Sequence, residues 1–219
     1  MIVYGRNAVQ EAQRGQRRVL RLWERGEVAD EELERLCGSP HHQGVVAEVE
    51  AYPYADASAF LEPQDALVLA LDQVQDPQNL GAICRTAECA GVSGVVLPAR
   101  GAADVTGAVC RASAGAVEHL QIARVTNLAN YLRAAKEAGA WVYGADAGAD
   151  RPYTDIDYEG RIVLVLGSEG SGLRPRVRAT CDALVSLPVR GKVASLNVSA
   201  AAAALLYEVV RQRHAPAAR

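Results

Sequence analysis

Aromatic side chains are scarce in this 219-residue chain: one phenylalanine, two tryptophans and eight tyrosines. Half of its residues are nevertheless hydrophobic, so alanine, valine and leucine must fill a full core. There is no CxxC pair. The five cysteines, Cys37, Cys84, Cys89, Cys110 and Cys181, are odd in number, which points to reduced thiols and a cytoplasmic setting. His41, His42, His119 and His214 do not combine with them at metal-ligand spacing, so no metal is expected. No apolar run is long enough to cross a bilayer. The opening residues lack a basic segment followed by an apolar one, so no signal peptide is expected. A large positive charge is also missing: the net charge is −3, unlike a general nucleic-acid binder. Arginine is instead clustered, at Arg14, Arg17, Arg18, Arg21 and Arg25, at Arg174, Arg176 and Arg178, at Arg190 with Lys192, and at Arg211, Arg213 and Arg219. Arginine suits bidentate phosphate contact, although any one cluster also reads as a solvated face.

The length fits one ordinary domain with a small added module. Residues 3–13 read as a helix, 19–23 as a strand, 30–37 as an acidic amphipathic helix and 45–51 as an alternating strand. That module, residues 1–51, is too short to be comfortable alone. Residues 52–65, with Pro53 and Pro63, read as a linker. From residue 66 to 219 strands alternate with helices, so an α/β fold with a mostly parallel sheet is expected. Residues 66–71 form a continuous apolar strand, as a sheet covered on both faces requires. In the next helix Leu80, Ile83, Cys84 and Ala87 share a stripe and Arg85 lies off it, facing water or a site. Asn79 reads as that helix's cap.

Ligands of such sheets sit outside the carboxyl ends of strands. Three loops meet that description: 72–79, 167–172 and 188–194. The run Gly167-Ser-Glu-Gly-Ser-Gly172 matches neither GxGxxG nor the lysine-bearing phosphate loop. Its glycines let a ligand approach backbone. Glu169 repels pyrophosphate but suits a cation or a hydroxyl. In and just after the third loop, Lys192, Ser195, Asn197 and Ser199 crowd against an apolar stretch that begins at Ala200. A helix apolar all round is expected to be buried all round. The polar junction then reads either as a site at the mouth of a buried helix or as a serine cap.

Three motifs, Asp76-Pro-Gln-Asn-Leu-Gly-Ala-Ile-Cys-Arg-Thr-Ala87, Leu166-Gly-Ser-Glu-Gly-Ser-Gly-Leu173 and Leu187-Pro-Val-Arg-Gly-Lys-Val-Ala-Ser-Leu-Asn-Val-Ser199, resemble the three motifs of the SpoU (TrmH-like) RNA ribose 2′-O-methyltransferases of the SPOUT class. They occur in order, and the similarity runs from about residue 66 to the C-terminus. Val3-Tyr-Gly-Arg-Asn-Ala-Val9 and His42-Gln-Gly-Val-Val-Ala47 resemble the two ends of the family's L30e-like RNA-binding domain. Between them this chain is shorter than the family pattern.

The resemblance implies an α/β sheet with a C-terminal trefoil knot, a topology otherwise almost absent from proteins. It implies a homodimer, an RNA substrate and S-adenosylmethionine as cofactor. Cofactor contacts fall by motif match on Leu166, Gly167, Gly172, Leu187, Val189 and Leu196, with backbone at Gly167, Leu187 and Leu196 foremost. The matched catalytic positions are Asn79, Arg85, Glu169, Ser195 and Asn197. The Tyr4-Gly5 and His42-Gln-Gly44 marks resemble the enzymes acting on guanosine of 23S ribosomal RNA more than the short transfer-RNA enzymes. Two other readings compete. One is a non-catalytic knotted RNA-binding protein. The other is a nucleotide-dependent oxidoreductase, which lacks the acidic ribose partner at the right offset.

Overall fold

A computed structural model describes residues 1–168 and 170–214, so the expectations resting on Glu169 and Arg219 lie outside the described residues. The first unit is β1 (Ile2–Tyr4), α1 (Arg6–Arg14), β2 (Val19–Glu24), α2 (Asp30–Cys37) and β3 (Val45–Val49). Its antiparallel sheet has the order β1-β3-β2. The helix expected over residues 3–13 is therefore a strand followed by a helix. Gly5, at φ 93°, makes the break, because only glycine takes that conformation without strain. Val3 is buried from the strand and Val9 from the helix.

The larger unit contains β4 (Leu67–Asp72), α3 (Pro77–Cys89), β5 (Gly94–Pro98), α4 (Gly107–Ala112), β6 (Ile122–Val125), α5 (Leu128–Glu137), β7 (Trp141–Ala145), β8 (Ile162–Gly167), α6 (Pro175–Thr180), β9 (Ala183–Val185) and α7 (Val198–His214). All pairings in its sheet are parallel, in the order β6-β5-β4-β8-β7-β9. The order reverses between β4 and β8, so a crevice belongs at their carboxyl ends. Strand alternation splits the core. Leu67, Leu69 and Leu71 pack with α3, α4 and α7, while Val68 and Ala70 pack with α5 and α6. The first core also takes in Val3, Val9, Val45 and Ala47 of the small unit.

The segment between the units is packed. Tyr52 donates its hydroxyl to the Val117 carbonyl at 3.2 Å, and a 3-10 turn over Ala57–Leu61 buries Phe60 and Leu61. Two more 3-10 turns follow, Ala116–Glu118 and Tyr153–Asp155, the latter in a stretch, 148–158, that reads as loop from its sequence.

Helix α7 departs from the expectation of burial on every side. Val198, Ala202, Leu205, Leu206 and Val209 are buried, but Ala200 is exposed and Tyr207 is 51% exposed. Helix α3 and strand β8 cover one side only, so the apolar stretch from Ala200 to Tyr207 leaves an uncovered apolar face.

Candidate active site

Beyond the carboxyl ends of β7, β8 and β9 lies a cleft of about 460 Å³. Leu166, Gly167, Gly172, Leu187, Val189, Ser195 and Leu196 all line it, so the second and third motif loops meet there. The loop after β8 is self-supporting. Ser168 and Gly172 exchange two backbone hydrogen bonds, at 3.2 and 3.0 Å, and Gly172 takes φ 64°. A Cβ on Gly167 would run into the backbone of Gly172 and Leu173. Gly167 is thus required by the loop's own fold-back, before any ligand is considered.

A buried carboxylate holds the far end of this loop. Asp72, fully buried at the end of β4, accepts from the Arg174 backbone N–H at 2.8 Å and from its Nε at 2.7 Å. A charge-assisted pair of this kind is strong and directional. Little in the sequence singles out Asp72 as an anchor. Its only signal there is a charge closing an otherwise apolar strand. Asp146, at the rim, is not singled out either. It accepts from Arg178 Nε at 2.8 Å and from the Gly148 N–H at 2.8 Å. The Arg178 hydrogen bond, then that of Gly148, holds this carboxyl below its ordinary range.

Asn79 and Asn197 are brought together across α3 and α7: Asn197 Nδ2 donates to Asn79 Oδ1 at 3.0 Å. Asn197 Oδ1 accepts from the Ser199 N–H at 2.8 Å and the Ser199 hydroxyl at 2.6 Å. The residue capping α7 is therefore Asn197. Asn79 is not the cap of α3. That role belongs to Asp76, which accepts from the N–H groups of Gln78 and Asn79 at 3.2 Å, with Pro77 in the first turn.

Arg85 is exposed, as its place off the stripe predicts, but it does not line this cleft. It lines a second one, with residues of α1 and of the turn after α4. Most of the clustered arginines are engaged inside the chain: Arg14 with Glu11, Arg17 with Glu118, Arg18 with Glu50, Arg25 with Asp30 and Arg211 with Glu208. Arg21 lies over the Trp23 ring at 4.9 Å. Arg190 and Lys192 are exposed and form no ion pair among the described residues.

All five cysteines are free, and burial pushes the Cys84 and Cys110 thiols up to about 12, so both are protonated. Among the described residues no three His, Cys, Asp or Glu side chains are grouped to hold a metal. No described helix is long and apolar enough to cross a membrane.

Residues 66–207 match the SpoU rRNA methylase family, and residues 24–55 match the RNA 2′-O ribose methyltransferase substrate-binding model. YacO of Bacillus subtilis, assigned to the TrmH family of tRNA/rRNA methyltransferases, is 40% identical over 239 residues, covering 97% of this chain and 96% of its own. The SpoU methyltransferase AviRb from Streptomyces viridochromogenes, solved in complex with the cofactor AdoMet, superposes with a TM-score of 0.82 at 29% identity, over 98% of this chain and 91% of its own. An AdoMet-bound rRNA methyltransferase from Sinorhizobium meliloti gives a TM-score of 0.85 at 27% identity, over 98% and 88%. The cleft built by the second and third motifs, the Asn79–Asn197 contact that ties the first motif to the third, and the family match agree: the chain belongs to the SpoU rRNA methylase family.

Proposed function

We propose that this protein transfers a methyl group from S-adenosylmethionine to the 2′-oxygen of a ribose in structured RNA, with a guanosine of 23S ribosomal RNA as the first target to test and transfer RNA as the second. The observation that carries this reading is the meeting of Leu166, Gly167, Gly172, Leu187, Val189, Ser195 and Leu196 in one cleft. Its volume suits a small-molecule cofactor. Its walls combine apolar side chains with loop backbone, and Asp146 offers a carboxylate to a hydroxyl or an ammonium. On this reading residues 1–51 are a shortened L30e-like substrate module, 52–65 the connection and 66–219 the methyltransferase domain, with the family's knot in its C-terminal part. A cytoplasmic location belongs to the same reading.

S-adenosylmethionine, when bound, supplies an electrophilic methyl on a sulfonium. The chain's own work is to hold the ribose oxygen at near-attack distance and to keep the site dry, since charge is annihilated as the bond forms. Arginine stays protonated and is a poor base. Arg85 therefore serves as an anion holder, gripping a phosphate or the nascent alkoxide and lowering the hydroxyl's pKa electrostatically. Asn79 and Asn197 brace the α3–α7 junction, Ser195 orients the ribose, and Glu169 is assigned to positioning the loop or Asn197.

A homodimer is part of this proposal. The open apolar face of α7 and the exposed Val193 and Leu196 support it. It is also what Arg85 needs, because within one chain Arg85 lines the other cleft. Mixing Arg85→Ala subunits with Gly167→Val subunits is expected to restore activity that neither homodimer shows. Alone, Arg85→Ala is expected to lose about 10²–10³-fold in methyl transfer, Arg85→Lys less, with cofactor affinity unchanged. Wild-type rates in Arg85→Ala would remove the assignment. Isothermal titration separates the scaffold reading: heat with S-adenosylmethionine supports the enzyme, and none at millimolar cofactor supports a non-catalytic RNA binder.

A further inference from the structure

The seam between the two units is built for close, fixed contact. A Cβ on Gly107 would collide with the carbonyl oxygen of Ile2. On Gly115, at φ 90°, it would lie 2.5 Å from Glu11 Cβ, and on Gly15 it would lie 2.9 Å from Glu118 Cβ. Glycine thus stands at three points where one unit presses on the other. Behind them, Arg17 from the small unit forms a buried pair with Glu118 of the larger one. The Arg17 Nε donates to Glu118 Oε2 at 2.9 Å, and a further Arg17 nitrogen donates to the Glu50 carbonyl at 3.1 Å. The side chains are 3% and 1% exposed. With a hydrophobic core continuous across the seam, the small unit is held in one orientation.

Along this seam opens the second cleft, also about 460 Å³. Arg85 and Glu88 of α3 stand on one wall, Asn7 and Gln10 of α1 on the other. The Asn7 and Gln10 amides have no hydrogen-bond partner among the described residues, and Arg85 has no ion-pair partner among them. Glu11, also at the cleft, is already engaged by Arg14 and His119, each at 2.8 Å. What is left is one cation for a phosphate, two amides that both donate and accept, and one carboxylate that accepts from an exocyclic amino group. Unpaired RNA bases are read on their edges by such groups.

We infer that the seam cleft seats an unpaired nucleotide of the substrate RNA adjoining the methylated one, with Arg85 on its phosphate and Asn7, Gln10 and Glu88 on the edge of an amino-bearing base. This rests on the RNA methyltransferase reading and assigns part of the specificity to α1. The rigid seam then acts as a ruler, fixing the distance between the base that is read and the ribose that is modified.

The test uses the full chain and bulk ribosomal and transfer RNA from a strain lacking the gene. Ultraviolet cross-linking with peptide mapping is run beside tritiated methyl transfer. Cross-links are expected in the peptides carrying Asn7, Gln10 and Arg85. The double variant Asn7→Ala with Gln10→Ala is expected to lose those on α1 and to raise the KM for RNA about tenfold, two hydrogen bonds' worth, with S-adenosylmethionine affinity unchanged. Cross-links at the cleft without methyl transfer would keep the cleft and remove the proposed activity. Methyl transfer with cross-links elsewhere, or with an unaltered KM in the double variant, would overturn the cleft.

Discussion

Helix α3 is flanked by two surfaces finished in opposite ways. Toward α4 the chain closes its own seam, with glycines at the contact points and the Arg17–Glu118 pair sealed inside. Toward α7 it stops half-way: one face of an alanine-rich helix is packed, and the other is left open with Tyr207 on it. A surface completed by the chain fixes geometry within one subunit. Under the proposed dimer, the surface left apolar and open is the one a second copy covers. The contrast then separates what one chain does alone, holding the small unit in register, from what the proposal assigns to a partner.

The largest expected effect lies in the closed seam. Glu118→Gln or Arg17→Ala leaves the other member buried without its charge partner, which costs about 3–5 kcal/mol. Chemical denaturation measures it. Replacing both with methionine is expected to recover most of that loss, because an apolar pair needs no compensation. If the single and double variants are equally destabilised, the seam is not held by this pair.

Next comes Asp72→Asn, at about 1–2 kcal/mol. The amide still accepts from the Arg174 backbone, and the Arg174 side chain remains partly in water. Cofactor affinity should fall with it, since the loop after β8 loses its anchor. A variant of full stability with weakened cofactor binding would place Asp72 in recognition and not in support.

Smaller still is the Asp146–Arg178 pair, partly exposed and so worth under about 1 kcal/mol. Its folded carboxyl is depressed. Its contribution is therefore fully present above the ordinary aspartate value of about 3.9 and disappears as pH falls through the folded value. The stability difference between wild type and Asp146→Asn should stay flat from pH 8 to about pH 5 and close only at more acid pH. A difference that closes near neutrality would contradict the assignment. On the open face of α7, Tyr207→Asp should change chain stability by no more than about 0.5 kcal/mol yet shift sedimentation from dimer to monomer. A fully dimeric Tyr207→Asp would move the partner surface elsewhere.

Much of this was legible in the chain itself. Continuous apolar strands separated by one-striped helices determine a parallel sheet, and two of the loops at the strand ends line the cleft that opens there. Arg85 stands outside because it lies off the stripe of Leu80 and Ile83. Other features depend on contacts between residues far apart. The Asp72–Arg174 clamp joins positions 102 residues apart, and the Arg17–Glu118 pair joins positions 101 apart; neither partner announces the other. Asn79 read as a cap because asparagine caps helices, yet Asp76 before Pro77 is the stronger start signal and took that place. Gly167 read as room for a ligand, and the loop's own return path already requires it. For α7, composition alone cannot distinguish a helix buried by its own fold from one covered by a partner.

The most direct measurement is to map tritium from S-adenosylmethionine, nucleotide by nucleotide, in ribosomal and transfer RNA of a strain lacking the gene. Label is expected on a ribose 2′-oxygen and is lost with Arg85→Ala and with Gly167→Val. Label on a base, or label that persists when the Gly167 loop is disrupted, would contradict the proposed transfer.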